Sequence, residues 1–251
     1  MTRLLVLGGT ELANRFVAVA REAWPDLEIV LSLAGRTRNP RLPDCEIRTG
    51  GFGGPEGLAG YLETEAITAL VDATHPYAAQ ISAHAAAAAN SASVPCLHLV
   101  RPEWTASPGD NWQGVESNEV AARCLEELSA AHPLTVFLSI GRQELAPYRF
   151  LTNCHLVIRA VETPDEADLP PGAKVVLARG PFSEQGEAVF LRENGIDVIV
   201  SKNSGGSATY AKIAAARALQ MPVVMVERPA LPDGEIVETV EDAVRWVAAR
   251  S

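Results

Sequence analysis

The stretch Arg3-Leu4-Leu5-Val6-Leu7-Gly8-Gly9-Thr10-Glu11-Leu12-Ala13 decides the fold at the start of the chain. An apolar run ends in two glycines, and residues typical of a helix follow directly. This order predicts a buried strand, a tight turn and a helix N-terminus, where unpaired N–H groups and the helix dipole favour an anion. Against the dinucleotide fingerprint G-x-G-x-x-G/A, Gly8 and Ala13 match, and Thr10 replaces the second glycine. On these residues alone, a phosphate site and a turn without a ligand are equally good interpretations.

Composition and charge narrow the classes of function. The 251 residues are 47% hydrophobic and carry a net charge of −10, which is enough chain for one large or two small domains. The acidic balance argues against nucleic-acid binding, and no apolar run is long enough to span a membrane. The four cysteines form no C-x-x-C pair and the five histidines lack metal-ligand spacing. We therefore expect a cytoplasmic protein with buried, reduced thiols and no metal site.

Strand-like and helix-like segments alternate along the whole chain, which predicts an α/β fold with parallel sheets and helices on both faces. A Ser/Pro/Gly/Asp/Asn stretch at residues 107–111 indicates a domain boundary. We predict two Rossmann-like domains, a dinucleotide-binding domain at residues 1–106 and a substrate domain at residues 107–238. A terminal helix at residues 239–251 has no predicted packing partner. The final strand is predicted at residues 223–226.

The end of the second predicted strand bears on the cofactor. In a dinucleotide fold an acidic residue there holds the ribose 2′-hydroxyl of NAD, whereas arginine accommodates the 2′-phosphate of NADP. Here Arg36, Thr37 and Arg38 follow the strand, and no acidic residue does. Because the guanidinium fork suits phosphate, we favour a 2′-phosphate site over a solvated basic loop.

Polar residues also collect after a strand predicted at residues 67–72, where Thr74, His75 and Tyr77 follow Asp72. Ligands of open α/β sheets bind outside the carboxyl ends of the strands. His75 has two equally good interpretations: it donates a proton or a hydrogen bond to a ligand, or it caps or packs beneath the next helix. That helix is predicted to begin at Pro76.

The second half places three cations and a glycine-rich segment at predicted strand ends, namely Arg142, Arg179, Lys202, Ser204, Gly205 and Gly206. Two sheets that face each other by these ends would form one cleft between the domains, a preferred place for a ligand. In a chain of net charge −10, this concentration of cations predicts an anionic substrate. The setting of Lys202 is more typical of an anion-binding loop than of a Schiff-base lysine.

Several segments together resemble the precorrin-6A reductases of cobalamin biosynthesis. The most specific are Thr74-His75-Pro76-Tyr77 and Lys202-Asn203-Ser204-Gly205-Gly206, and the resemblance extends in order from Leu4 to about Pro229. The other segments are Leu7-Gly8-Gly9-Thr10-Glu11, Ala34-Gly35-Arg36-Thr37, residues 50–54, Ile140-Gly141-Arg142-Gln143 and Arg179-Gly180-Pro181-Phe182. The resemblance implies two Rossmann-like domains with the active site in the cleft between them. It also implies NADPH-dependent reduction of precorrin-6A to precorrin-6B, which saturates one double bond of the macrocycle.

The residues and the resemblance together suggest the following roles. The cofactor would be held by Gly8, Gly9, Thr10 and Glu11 near its pyrophosphate, by Arg36, Thr37 and Arg38 at its 2′-phosphate and by Thr74 near the nicotinamide. Thr10 would add a hydroxyl hydrogen bond to the pyrophosphate. Substrate carboxylates would be held by Arg142, Arg179, Lys202, Ser204, Gly205 and Gly206. The catalytic candidates are His75, Tyr77 and Lys202, with water as a further proton source. Transient contacts with neighbouring pathway enzymes are expected, and binding to nucleic acid or membrane is not.

Two alternatives stay open from the sequence. One is an NADH-dependent cobalt-precorrin-6A reductase of the anaerobic pathway, against which Arg36 and Arg38 favour NADPH. The other is a non-catalytic NADP-sensing protein, which would not need the polar strand ends of the second half. A sugar-nucleotide epimerase or reductase is excluded because Tyr148 and Tyr210 are followed four residues later by Thr152 and Ala214, not by lysine.

Overall fold

The computed structural model describes residues 2–35 and 42–250, and the chain forms two compact units. Unit 1 comprises Met1–Pro102 together with Pro229–Ser251, and unit 2 comprises Glu103–Arg228. The boundary predicted at residue 106 lies four residues beyond Pro102, and the one predicted at residue 238 differs because the chain returns to unit 1 after Arg228.

Unit 1 contains one sheet of six parallel strands in the order β12-β5-β4-β1-β2-β3. Its elements are β1 (Arg3–Leu7), α1 (Glu11–Ala23), β2 (Glu28–Leu33), β3 (Glu46–Thr49), α2 (Pro55–Thr64), β4 (Ala69–Asp72), α3 (Ala79–Ala92), β5 (Cys96–Leu99), β12 (Glu235–Val237) and α7 (Val240–Ala248). This order is that of the doubly wound dinucleotide-binding fold, whose ligand site lies where the strand order reverses, between β1 and β4.

The opening stretch folds as its residue types predict. The apolar residues 4–7 of β1 are buried, as expected for a parallel strand that is covered on both faces. A Cβ added to Gly8 would lie 2.5 Å from Leu31 Cδ1 of β2, so the turn after β1 has no room for a larger residue. Thr10 caps α1, because its Oγ1 accepts a hydrogen bond from Ala13 N at 3.0 Å.

Unit 2 repeats the architecture, with parallel strands in the order β6-β11-β10-β7-β8-β9. Its elements are β6 (Trp112–Val115), α4 (Asn118–Leu128), β7 (Leu134–Ser139), a 3₁₀ helix (Ala146–Tyr148), β8 (Cys154–Ala160), β9 (Lys174–Leu177), α5 (Glu184–Glu193), β10 (Val198–Lys202), α6 (Ala211–Ala218) and β11 (Val223–Val226). The α/β class and the two Rossmann-like sheets are therefore confirmed. The two sheets differ in the origin of one edge strand. In unit 2 this strand is β6, at the start of the unit, and in unit 1 it is β12, which comes from the C-terminal part of the chain.

Two local predictions are wrong, and the two strands β6 and β12 were not predicted. Residues 223–226 are not the final strand, since β12 follows and pairs in parallel with β5. The helix expected to begin at Pro76 begins at Ala79, because residues 75–78 form a turn in which Ala78 N donates to His75 O at 2.7 Å.

The terminal helix α7 packs on α1, and its residues Val240, Ala243, Trp246 and Val247 share a core with Phe16. Within residues 2–35 and 42–250, no helix combines the length and the hydrophobicity that crossing a bilayer requires. The cysteines are free and half-buried, rather than buried as expected.

Candidate active site

The turn between β1 and α1 presents unpaired backbone donors. Gly9 has a φ of +98°, a conformation that favours glycine, and no atom lies within 4 Å of a Cβ added there. The N–H groups of residues 9–12 donate no hydrogen bond within the described part of the chain. Glu11 is exposed in the first turn of α1. The backbone of this turn is therefore suited to an anion.

The hydroxyl of Thr10 has a different role from the one predicted. Thr10 Oγ1 donates to Ala73 O at 2.7 Å and accepts from Ala13 N at 3.0 Å. A hydroxyl has one proton to donate. That proton fastens the β1–α1 turn to the end of β4, so it is not available to a pyrophosphate in this arrangement.

The end of β4 is organised by the buried carboxylate of Asp72, whose side chain is 3% exposed. It accepts hydrogen bonds from Thr74 N at 3.1 Å and Thr74 Oγ1 at 2.7 Å, and it pairs with His98 Nδ1 at 3.0 Å. Burial alone would raise the pKa of Asp72, but the hydrogen bonds from His98, Ser82 and Thr74 hold it below its ordinary value. Asp72 therefore stays ionised and fixes Thr74.

His75 and Tyr77 follow Thr74 in the same turn, and both are partly exposed. His75 Nδ1 accepts a hydrogen bond from Tyr77 N at 3.3 Å. In the neutral ring the proton then lies on Nε2, which makes that atom the donor. The two rings are 5.7 Å apart at their centroids. The sequence prediction that Thr74, His75 and Tyr77 share one strand end is met by this geometry.

The predicted 2′-phosphate residues Arg36, Thr37 and Arg38 lie outside the described residues. The glycine-rich segment at residues 50–54 is described, and Arg48 holds it in place. The Arg48 guanidinium donates to Gly50 O at 2.6 Å and to Gly51 O at 2.8 Å, and it stacks on the Phe52 ring at 3.7 Å. This arrangement favours an ordered turn at the end of β3.

Lys202, at the end of β10, is engaged with a carboxylate that the sequence interpretation missed. Its Nζ donates to Glu144 Oε1, and Glu144 Oε2 accepts from Asn118 Nδ2 at 2.7 Å. Asn118 Oδ1 in turn accepts from the hydroxyl of the buried Tyr148 at 2.9 Å. Burial lowers the pKa of Lys202, and Glu144 opposes that effect. The ammonium is therefore held in place by a network instead of standing alone.

The other predicted cations of unit 2 differ in their surroundings. Arg142 pairs with Glu162 at 3.2 Å and donates to Thr163 O at 3.3 Å. Arg179 is exposed. Because Arg142 and Lys202 both have carboxylate partners, the positive charge predicted for this region is smaller than the residue types imply. An anionic ligand would share these cations with Glu162 and Glu144.

The segment after Lys202 is a turn with two consecutive left-handed glycines, Gly205 at φ +68° and Gly206 at φ +72°. The Ser204 hydroxyl lies 3.4 Å from Thr209 Oγ1. The N–H groups of residues 205–207 donate no hydrogen bond within the described part of the chain. The segment therefore offers the backbone donors of residues 205–207, whereas the Ser204 N–H donates to Lys202 O at 2.9 Å.

Sequence reasoning missed Glu144 and His98. Glu144 lies five residues beyond β7, in the same turn as Arg142, so its position near a predicted strand end was available as a signal. His98 lies within β5, directly opposite Asp72 in the strand register. Within the described residues, no group of three or more His, Cys, Asp or Glu side chains is arranged to hold a metal ion.

Comparison with known proteins identifies the family. The family model for precorrin-6x reductase CbiJ/CobK matches residues 3–248. The chain belongs to this family. Among relatives of the precorrin-6x reductase family, the precorrin-6A reductase of Rhodococcus erythropolis is 47% identical over 248 residues, which is 98% of each chain. The precorrin-6A reductase of Mycobacterium tuberculosis is 46% identical over 99% of this chain and 98% of its own length.

More distant relatives and solved structures agree with this assignment. The cobalt-precorrin-6A reductase of Priestia megaterium is 25% identical over 96% of both chains. A solved structure of CobK precorrin-6A reductase superposes with a TM-score of 0.91 at 42% identity, covering 100% of this chain and 98% of that one. The precorrin-6x reductase fold therefore extends over both units.

Proposed function

We propose that this chain catalyses the NADPH-dependent reduction of precorrin-6A to precorrin-6B in the aerobic route to cobalamin. The observation that carries the proposal is the end-to-end similarity to proteins named precorrin-6A reductase, which is well above the similarity to the cobalt-precorrin-6A reductase. The same difference in similarity favours the aerobic over the anaerobic reaction.

The β1–α1 turn fits the pyrophosphate of a dinucleotide. The space around Gly9 is open, and residues 9–12 have unpaired N–H groups at the N-terminus of a helix of 13 residues. The turn lies beside β4, at the reversal of strand order where dinucleotides bind in this fold. Gly8, Gly9 and Glu11 would border the pyrophosphate together with the backbone of Thr10. Arg36, Thr37 and Arg38 would hold the 2′-phosphate, a role that rests on the sequence alone.

Bound NADPH would supply the hydride, and one proton completes the saturation of the double bond. The chain contributes position, and the proton comes from one of its own donors or from water. Asp72 fixes Thr74, which would lie near the nicotinamide, and His75 Nε2 would be a candidate donor at the same strand end. Lys202, held by Glu144, is a second donor and a ligand for substrate carboxylates. Tyr77 is the third candidate donor, and Arg142, Arg179, Ser204, Gly205 and Gly206 would complete the binding of the acidic tetrapyrrole.

The proposal is tested by mixing the purified protein with precorrin-6A and NADPH and following cofactor oxidation together with the mass of the product. We expect consumption of NADPH and a product heavier by one hydride and one proton. A clear preference for NADH with the cobalt-containing substrate would replace the proposal by the anaerobic reaction. Binding of NADPH without turnover of either substrate would favour the sensor.

The variant Arg36→Ala tests the cofactor preference. The control is Arg21→Ala, since Arg21 lies in the last turn of α1. Loss of a charge-assisted phosphate contact costs roughly 1.5–3 kcal/mol, which is a loss of about ten- to a hundredfold in NADPH affinity. NADH affinity should stay unchanged in both variants. Equal weakening of NADH and NADPH by Arg36→Ala would refute a 2′-phosphate role.

A further inference from the structure

Asn203, in the Lys-Asn-Ser-Gly-Gly segment, contacts both places where the chain enters and leaves unit 2. Its Oδ1 accepts from Trp104 N at 2.8 Å, and its Nδ2 donates to Trp104 O at 3.0 Å. Its backbone O accepts from Arg228 Nε at 2.8 Å. Asn203 is 8% exposed and the Arg228 side chain 9% exposed, so these hydrogen bonds are shielded from water. Residues 104, 203 and 228 therefore form one anchored cluster within unit 2.

The indole ring of Trp104 extends this cluster to the two left-handed glycines. Trp104 Nε1 donates to Gly206 O at 2.7 Å, and the residue is 8% exposed. Its ring lies 5.5 Å from the Tyr210 ring and 4.9 Å from Lys212 Nζ. Trp104 thus contacts the turn at Gly206 and the residues that follow it.

The turn at residues 204–207 needs such external support. Gly205 and Gly206 lose more conformational freedom on ordering than other residues. Since the N–H groups of residues 205–207 donate no internal hydrogen bond, the backbone is held mainly through its carbonyl groups and side chains. The bonds from Trp104 to Gly206 O and to Asn203 therefore help to fix the direction of these N–H groups, together with the bonds from Ser204 N to Lys202 O and from Tyr210 N to Ser207 O.

We infer that Trp104 and Asn203 are positioning residues for substrate binding: they hold the turn at residues 204–207 so that its N–H groups are pre-oriented toward a substrate carboxylate. The inference rests on the proposed function, because that function supplies an acidic tetrapyrrole. Neither residue needs to touch the substrate. Pre-orientation lowers the entropy lost on binding, so it affects substrate affinity and not the chemical step.

The test uses Trp104→Phe, which keeps an aromatic ring and removes the indole N–H. Trp112→Phe is a matched control in the same unit, since Trp112 Nε1 is buried and has no hydrogen-bond partner within the described residues. We expect the hydrogen-bonded amides of Asn203 and Ser204, which donate to Val226 O and Lys202 O, to exchange faster in Trp104→Phe than in the wild type. We also expect the KM for precorrin-6A to rise about fivefold, the effect of one lost hydrogen bond. The kcat and the Kd for NADPH should be unchanged, and Trp112→Phe should match the wild type.

Asn203→Asp is the second variant, in case Trp104→Phe does not fold. It keeps the acceptor for Trp104 N and replaces the donor to Trp104 O, so the same increases in exchange and KM are expected. Unchanged exchange, or faster exchange with an unchanged KM, would overturn the inference. Failure of the wild type to reduce precorrin-6A would instead refute the proposed function, and in that case the exchange experiment still shows whether Trp104 holds the turn.

Discussion

The buried lysine Lys212 in α6 should make the stability of unit 2 depend on pH in a defined direction. Lys212 is 4% exposed, and its Nζ donates to Thr209 O at 2.9 Å. Burial lowers its pKa from 10.5 to about 7; the nearby Arg159 adds to this effect, and Glu187 opposes it. Arg159 and Glu187 are themselves joined by two hydrogen bonds, at 2.5 and 2.6 Å, so little of the Glu187 charge is left for Lys212.

The magnitude follows from linkage between protonation and folding. Between pH 7 and pH 10.5, Lys212 holds a proton in the unfolded chain that it has lost in the folded one. The free energy of unfolding therefore rises with pH across this window, by up to about 1.4 kcal/mol for each pH unit. The full effect is roughly 4–5 kcal/mol. From pH 7 to pH 9.5 the gain from this one group is about 3 kcal/mol.

The assay is urea unfolding of the wild type and of Lys212→Met at pH 7, 8 and 9.5, followed by circular dichroism. Methionine keeps the length of the apolar stem and removes the titrating amine. We expect the gain in stability between pH 7 and pH 9.5 to be about 3 kcal/mol smaller in Lys212→Met. Lys174→Met is the control, because Lys174 is exposed on β9 and should keep the wild-type dependence. Parallel pH curves for wild type and Lys212→Met would refute the deprotonation of Lys212 on folding.

Three further changes test other parts of the structure. Gly8→Ala forces Leu31 to move and should lower the free energy of unfolding by about 1–3 kcal/mol. Gly9→Ala has room for its side chain and should lower it by about 1–2 kcal/mol, because Gly9 has a positive φ. In urea unfolding, the additional change Leu31→Val should restore stability to Gly8→Ala and not to Gly9→Ala. Asp72→Asn should lower the free energy of unfolding by about 1–3 kcal/mol at pH 7. Since the pKa of Asp72 is lowered in the folded state, this difference from the wild type should vanish as the pH falls below 3.8 and through the folded pKa. A difference that persists in acid would contradict an ionised Asp72. Lys202→Ala should raise the KM for precorrin-6A and leave the Kd for NADPH unchanged in steady-state kinetics and titration, and a weaker NADPH complex would place Lys202 at the cofactor instead.

The sequence predicted best those elements whose pattern is long and local. The pattern predicts a first helix from about Glu11 to Ala23, and α1 has these ends, because Thr10 is a strong N-cap and the buried residues of α1 recur at helical spacing. The strands β6 and β12 were missed for the opposite reason. β12 has three residues, and Ile236 in its middle is 50% exposed, so neither length nor alternation indicates a strand. Its pairing with β5 is a tertiary effect.

The candidate site shows the same division between local and distant information. The strand-end rule correctly grouped Thr74 with His75 and Tyr77, because they are neighbours in the chain. It did not identify His98 opposite Asp72, or Glu144 beside Lys202, since these partners are separated by 26 and 58 residues. Consequently the residue types were predictable, but the pairing of the cations and the use of the Thr10 hydroxyl were not.

The two units share a strand order but differ in the connection that follows the central strand, where a dinucleotide-binding fold holds the pyrophosphate. In unit 1 the central strand β1 is followed by a glycine turn and by α1, a helix of 13 residues with unpaired N–H groups at its start. In unit 2, which the structure describes throughout, the equivalent strand β7 is followed only by the three-residue 3₁₀ helix Ala146–Tyr148 before β8 begins. So short a helix has neither the aligned dipoles nor the N-terminal donors that hold a pyrophosphate. Its turn carries Glu144, which binds Lys202 instead. The repeated topology therefore agrees with the proposal of one cofactor site in unit 1, and with the proposal that the strand ends of unit 2 bind the acidic substrate.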